Sequence, residues 1–252
     1  MKSILKVALM SLVLAFIVRE THAAEFAREV KLGVGGAASS RLYKDLKNRK
    51  RYTPFPLIQG RYGRLFIDGL SLGVKAIDYE GFSVDYKVAR GVNGYEASDS
   101  PFLEGMERRK EGIDAGLDVT WWSPVGGFSM SGLVDITGEY DGGEVSLAYM
   151  MPLELYHLAL VPSVGGTWRS AKKVQYYFGV RPDEARSDRP AYNPSGDISS
   201  FLALNVEMPV SPRWSLVAGG KAEYFGCDVR NSPLVHEDYV LSAYAGIIVT
   251  LL

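Results

Sequence analysis

Few side chains in this sequence could do chemistry, and they are thinly spread. Apart from His22, the histidines are His157 and His236. His236 is followed by Glu237 and Asp238 and preceded by Ser232, so a nucleophile group Ser232/His236/Asp238 can be drawn on paper. The trio His236, Glu237 and Asp238 also offers nitrogen and carboxylate donors of the kind that hold a metal ion. Neither reading is favoured, because neighbours in one polar loop have no rigid scaffold to aim them. Gly33-Val34-Gly35-Gly36 has the glycine density of a phosphate loop, but no Lys-Ser/Thr follows it. Glycines there fit close packing within a strand better. Cys227 has no second cysteine to pair with and reads as a bystander. The expectation is therefore a non-enzyme with no catalytic residue, cofactor or metal. Ser232→Ala and His236→Ala should then each cost less than about 0.5 kcal/mol.

The elements that would have to position any site are legible from composition and periodicity. The chain has 252 residues, a formal net charge of −1, 47% hydrophobic residues and 27 glycines. A near-zero charge carries no footprint for nucleic acid, and the apolar fraction excludes a disordered chain. Lys2 and Lys6 precede an unbroken apolar or small stretch from Val7 to Val18, and small residues follow at Ala23-Ala24. This is the layout of a secretory leader, expected over 1–23 with the functional domain at 24–252. Downstream, no stretch is long and apolar enough for a membrane-spanning helix.

Alternation runs through most of the remainder. In 112–122, Ile113, Ala115, Leu117, Val119 and Trp121 share one parity and Asp114, Asp118 and Thr120 the other, which assigns them to opposite faces of a strand. Similar segments occur at 128–139, 144–153, 202–208, 214–224 and 239–251. At about 10–12 residues they exceed ordinary strands and match what crosses a bilayer at a tilt. Short turns alternate with long polar connections at about 39–53, 93–110, 169–198 and 225–238, the asymmetry of an outer-membrane barrel. Placing all four long loops on one side requires four strands in 54–92, read as about 54–60, 62–68, 70–79 and 82–92. The fold class is thus all-β, an antiparallel transmembrane β-barrel of about 12 strands with short periplasmic turns and long external loops; 10 strands is the alternative. The polar parity puts Lys31, Lys75, Lys87, Lys221, Asp114, Asp118, Asp135, Glu139, Glu144, Glu207 and Glu223 in the lumen. It leaves Trp121 and Trp214 facing lipid near the short turns, with Trp168, Tyr224 and Tyr239 near the long loops.

Three segments carry a resemblance: Pro54-Phe55-Pro56-Leu57-Ile58 followed by Tyr62-Gly63-Arg64-Leu65-Phe66, then Gln175-Tyr176-Tyr177-Phe178-Gly179-Val180, then Ser232-Pro233-Leu234-Val235. In order and spacing they resemble the MipA/OmpV family of Gram-negative outer-membrane proteins. The chain departs from the usual pattern of such barrels by ending in Leu251-Leu252 rather than an aromatic residue. The resemblance implies a scaffold in the outer-membrane lipid that contacts a lytic transglycosylase and a penicillin-binding murein synthase. A small channel or stress-response porin and a surface adhesin using the long loops are the alternatives.

Overall fold

A computed structural model describes residues 28–40, 42–45, 53–91 and 94–251. The leader expected over 1–23 lies outside them. The strands are β1 (Arg28–Ser39), β2 (Thr53–Tyr62), β3 (Leu65–Asp68), β4 (Ser71–Tyr79), β5 (Phe82–Arg90), β6 (Ile113–Ser123), β7 (Gly126–Asp135), β8 (Gly143–Met150), β9 (Leu153–Leu155), β10 (Leu158–Arg169), β11 (Asp197–Pro209), β12 (Trp214–Tyr224) and β13 (Tyr239–Thr250). Each pairs antiparallel with its neighbours, and β13 pairs with β1 to close the ring. β8 and β9 both lie against β10 and share one position, so the barrel has 12 strands. No helix among the described residues is long and apolar enough to cross a membrane.

The expected strand count holds, while several boundaries move. The segment 62–68 is not one strand: Gly63, at φ +58°, turns the chain between β2 and β3. β2 is long and β3 has only four residues. The segment 144–153 is broken after Met150 because Pro152 has no N–H for the ladder; Met151 N–H still reaches the Pro162 carbonyl at 3.0 Å.

Alternation places the apolar parity outside. Val34, Leu72, Leu117, Leu147, Leu202 and Leu216 are exposed on the outer wall. So are Trp121 and Trp214 near the short turns, and Trp168, Tyr224 and Tyr239 at the opposite end. The inner wall pairs large rings with glycines on neighbouring strands. Phe66 lies over Gly73, Phe201 over Gly165 and Tyr244 over Gly219, each ring occupying the space a Cβ would fill.

Gly116 is the tightest of these close approaches: a Cβ there would stand 1.8 Å from the Gly132 carbonyl oxygen across the β6–β7 ladder. Gly132 faces outward with open space around it. Gly116→Ala should therefore destabilise the barrel by about 1–3 kcal/mol, the usual cost of overpacking. Gly132→Ala should stay within about 0.5 kcal/mol. Denaturant midpoints in detergent, followed by the heat-dependent shift in gel mobility, check both.

Candidate functional site

The largest apolar core of this protein lies above the barrel, in the long connections. Leu42, Tyr43, Tyr95, Leu103, Met106, Tyr140, Val174, Tyr177, Phe178, Val180, Phe225, Val229, Leu234 and Val235 form one buried cluster. They come from every long connection and from the shorter 136–142 turn. These segments fold as a cap over the external mouth. Short bridges Tyr43↔Val235, Tyr95↔Arg109 and Val180↔Tyr192 stitch them together.

A helix anchors the cap. α1 (Ala171–Phe178) starts at Ser170, whose hydroxyl accepts from Lys173 N–H, the bond expected of a good N-cap. Val174, Tyr177 and Phe178 share one helical face by their i, i+3, i+4 spacing and point into the cluster. Lys173 points down instead, to Asp114 of β6 at 3.1 Å and Glu144 of β8 at 3.0 Å. Tyr140 also donates to Asp114. The network continues around the wall. Arg169 of β10 reaches Glu223 of β12 at 2.5 Å and Ser199 of β11 at 2.8 Å, and Lys221 reaches Glu223 at 2.8 Å. On β11, Asp197 accepts from Gly226 and Val229 N–H, holding the start of α2 (Cys227–Arg230). An arc of alternating charge, called the ring below, thus ties the cap to β6, β8, β10, β11 and β12. Its members are buried except for half-buried Glu144, which is costly for isolated charges and tolerable here because each is paired and hydrogen-bonded.

A second buried pair locks two loops together inside the cap. Arg109 makes a bidentate contact to Glu184, at 2.9 and 2.7 Å. Its other N–H groups reach the Tyr176 and Glu107 carbonyls, and its plane lies near the rings of Tyr95 and Tyr176. Glu184 accepts in addition from Glu107 and Arg181 N–H. Burial works to raise the Glu184 pKa. The hydrogen bonds from Arg109 and the two backbone N–H groups outweigh it and hold the carboxyl below its ordinary value. Arg189, fully buried, spans the same loops through the Phe102, Glu104 and Glu184 carbonyls.

Below the charge ring the lumen changes character. Lys87 pairs with Asp118 at 2.5 Å, Lys75 with Asp78 at 2.9 Å and Lys31 with Glu29 at 2.8 Å. These lysines retain 19–21% side-chain exposure, against 6% for Lys173 and Lys221. Lys173 and Lys221 under the cap are thus enclosed, and Lys31, Lys75 and Lys87 keep partial exposure.

The candidate residues of the 225–238 loop do not assemble. Ser232 is buried, and its hydroxyl donates to the Phe178 carbonyl at 2.7 Å while accepting from Leu234 N–H. The expectation that Ser232→Ala would be nearly free is corrected: this hydroxyl helps pin the last loop under α1. His236 is exposed and pairs with neighbouring Glu237 at 3.4 Å. Cys227 is exposed beside Arg230. Among the described residues no group of three or more His, Cys, Asp or Glu is arranged to hold a metal. Asp135 and Glu139 also differ from expectation. Asp135 ends β7 and accepts from Thr137, Tyr140 and Asp141 N–H in the turn above, and Glu139 pairs with exposed Lys110 in the loops. The residues missed from sequence, Arg109, Arg169, Lys173, Glu184 and Arg189, lie in or beside loops where periodicity says nothing. Ser170 followed by the Val174/Tyr177/Phe178 spacing was the available signal for α1.

A closed 12-strand barrel with an apolar outer wall, aromatic residues at two levels and a charged lumen defines an integral outer-membrane β-barrel protein. The sequence model of the family MltA-interacting protein MipA matches residues 32–250, and the chain belongs to this family. It is 31% identical to the outer membrane protein OmpV of Vibrio cholerae over 219 residues, covering 85% of this chain and 82% of that protein. It is 33% identical to the outer membrane protein Omp26La of Vibrio anguillarum over 150 residues, 60% of this chain and 58% of that protein. With the MltA-interacting protein of Escherichia coli it shares 25% identity over 138 residues, 54% of this chain and 56% of that protein. The matches to the latter two thus span little more than half of those relatives. The protein resides in the outer membrane.

Arg109→Ala strands the Glu184 carboxylate in the interior and should cost the cap about 3–5 kcal/mol. The loops should become protease-sensitive while the barrel keeps its heat-dependent gel shift. Because the folded Glu184 pKa is depressed, its contribution is fully present above the ordinary 4.5 and is lost as pH falls through the lowered value. Limited digestion with an acid-tolerant protease should therefore cleave the loops of the wild type only below about pH 4.5. Ser232→Ala should cost about 1–3 kcal/mol by leaving buried backbone unsatisfied, and His236→Ala less than about 0.5. Thermal loss of loop protection measures the difference.

Proposed function

We propose that this protein is a non-catalytic scaffold of the outer membrane whose working face is periplasmic. The observation that carries the reading is the cap. Its apolar core and the ring Asp114–Lys173–Glu144–Arg169–Glu223–Lys221 occupy the external mouth, where a general porin needs an open entrance. The separation of Ser232, His236 and Cys227 from any partner set suited to catalysis supports a role in binding rather than turnover.

The partner reading comes from relatives. One relative and the family itself are named for interaction with MltA, and the resemblance adds a penicillin-binding murein synthase. The face available to them comprises the short turns near Gly63, Glu80, Val125, Tyr156 and Pro212, with the lower lumen between them. Tyr156, at φ +56° and 96% exposed, projects furthest from cover, and Val125 and Val210 are exposed beside other turns. An apolar rim around a hydrated, mixed-charge opening suits a protein partner better than a small solute.

The test combines two measurements on the purified wild type. Reconstituted in planar bilayers, it should give no stepwise conductance, whereas Lys173→Ala combined with Arg169→Ala should, because the ring is broken. Immobilised in detergent, it should capture purified lytic transglycosylase of the MltA type, and Tyr156→Ala with Val125→Ser should weaken that capture by about tenfold, the loss of roughly 1.4 kcal/mol of contact. Wild-type conductance with no capture at micromolar concentration would replace the scaffold by a channel.

A further inference from the structure

The barrel wall is incomplete on one side. β2 pairs with β1 along its whole length, from Arg28↔Tyr62 to Ala37↔Thr53. On its other edge it meets β3 only from Gln59 to Tyr62, and the last bond is Gly69 N–H to the Ile58 carbonyl at 2.8 Å. Above that level Thr53–Leu57 has no strand beside it among the described residues, roughly 17 Å of edge. The next wall is the β4–β5 pair, which ends at Ser71↔Ala89 with Arg90 N–H on the Leu70 carbonyl. No ladder joins β2 to β5 among the described residues.

The described residues bound this gap below and above. The β3–β4 hairpin, turning at Gly69-Leu70, is its sill. The roof is a contact between two cap loops: Ser100 Oγ donates to the Lys44 carbonyl at 2.8 Å, and Lys44 Nζ lies 5.3 Å from the Phe102 ring centre. The free edge is chemically blunted. In an antiparallel ladder alternate residues address the same neighbour. Since Ile58 and Gly60 address β3, Pro56 and Pro54 face the gap, and neither has an N–H to leave unsatisfied. A backbone edge exposed within a bilayer is otherwise prohibitive. The two prolines are what make an opening at this height tolerable.

The lining on both sides of the opening is apolar. Val34, Leu70, Leu72 and Val88 are exposed on the outer face around it. Inside, register places Phe55, Leu57 and Phe66 on the lumen wall. Phe55 meets the Tyr244 ring edge-on at 6.4 Å, and Leu57 lies over Gly246 beside buried Ile248. On β6 and β7, by contrast, the lumen wall carries Asp114, Asp118, Ser129 and Ser131. Thr53 Oγ, buried and without a hydrogen-bond partner among the described residues, sits at the top of the free edge.

We propose that this opening is a lateral entrance through which the acyl chain of an outer-leaflet lipid enters the lumen and lies against Phe55, Leu57 and Phe66. The occupant follows from location: the opening is in the outward half of the wall of an outer-membrane barrel, and what bathes it is lipid. The Thr53 hydroxyl offers a donor where the ester or amide carbonyls of such a lipid would stand. The entrance is independent of the scaffold reading, since it uses the upper wall and leaves the short turns free.

The experiment uses the full mature protein in phosphatidylcholine nanodiscs containing a phosphatidylcholine with a diazirine at the end of one acyl chain. After irradiation, labelled residues are located by mass spectrometry. The expected result is label on the inward-facing Phe55, Leu57 or Phe66 as well as on outward-facing Val34, with none on inward-facing Ser129 and Ser131. Leu57→Glu should reduce the inward label about fivefold or more, because an acyl chain is not accommodated against a carboxylate. The heat-dependent gel shift reports whether that variant has folded; if it has not, the wild-type pattern decides alone. Label confined to outward-facing residues all round the barrel overturns the proposal, as does inward label that is equal on all walls.

Discussion

Every backbone N–H and C=O that enters the bilayer has to find a partner within the protein, and the rest of this structure is organised by that constraint. Closing β13 onto β1 removes the two edges an open sheet would leave. Period-two alternation follows, because a strand in a closed ring has one face in lipid and one in the lumen. The exceptions obey the same rule. Where Pro152 removes a donor, the chain breaks into β8 and β9 yet keeps Met151 bonded to Pro162. Where β2 lacks a neighbouring strand among the described residues, Pro54 and Pro56 remove the donors that would have pointed into the gap and leave only carbonyls there.

Satisfying the backbone does not by itself make a core. The outer wall buries its apolar groups in lipid, and the inner wall is mostly polar, so a densely packed apolar cluster has to form elsewhere. It forms in the loops, where Tyr43, Tyr95, Tyr177 and Phe178 are as buried as in a soluble domain. That arrangement needs an anchor, because a small domain made of long connections loses much loop entropy on ordering. The buried ring of Lys173, Arg169 and their carboxylates provides directional attachment to the strands below. Arg109 and Glu184 do the same between loops. Such pairs confer position more than net stability, since the cost of burying the charges offsets much of their attraction.

The barrel was legible in the sequence and the cap was not, for a physical reason. A transmembrane strand repeats one pattern against two uniform environments, so alternation, strand length and loop asymmetry suffice to place 12 strands and the five outward-facing aromatics. Boundaries failed where a glycine or proline acted locally, at Gly63 and Pro152. A loop packed into a unique core has no period. Ser232 looked like a loop hydroxyl with nothing to hold it, and only the fold brings Phe178 above it, 54 residues away in sequence. Lys173 and Arg169 were likewise unreadable, since their partners lie on strands far along the chain. Pro54 and Pro56 were seen as part of a family motif, but their role depends on how short β3 is.

The capped mouth and the partly exposed charges nearer the short turns bear on each other. If the ring at Asp114 and Glu223 served only to fill the barrel, the same kind of network could have continued down the lumen, where Lys87, Asp118 and Lys75 are already present. Instead those groups keep partial exposure, and Asp85 retains a buried carboxylate oxygen without a partner among the described residues. The ion pairs are therefore enclosed at the external end and more open toward the short turns. In a barrel whose purpose was to exclude solutes, either end would serve as the plug. On the proposed scaffold reading, a plug at the outside leaves the inner end as the accessible surface, and the mixed charges of the lumen there add to the area of the short turns. On that reading, the asymmetry of charge exposure, more than any single residue, directs the contact with a partner inward.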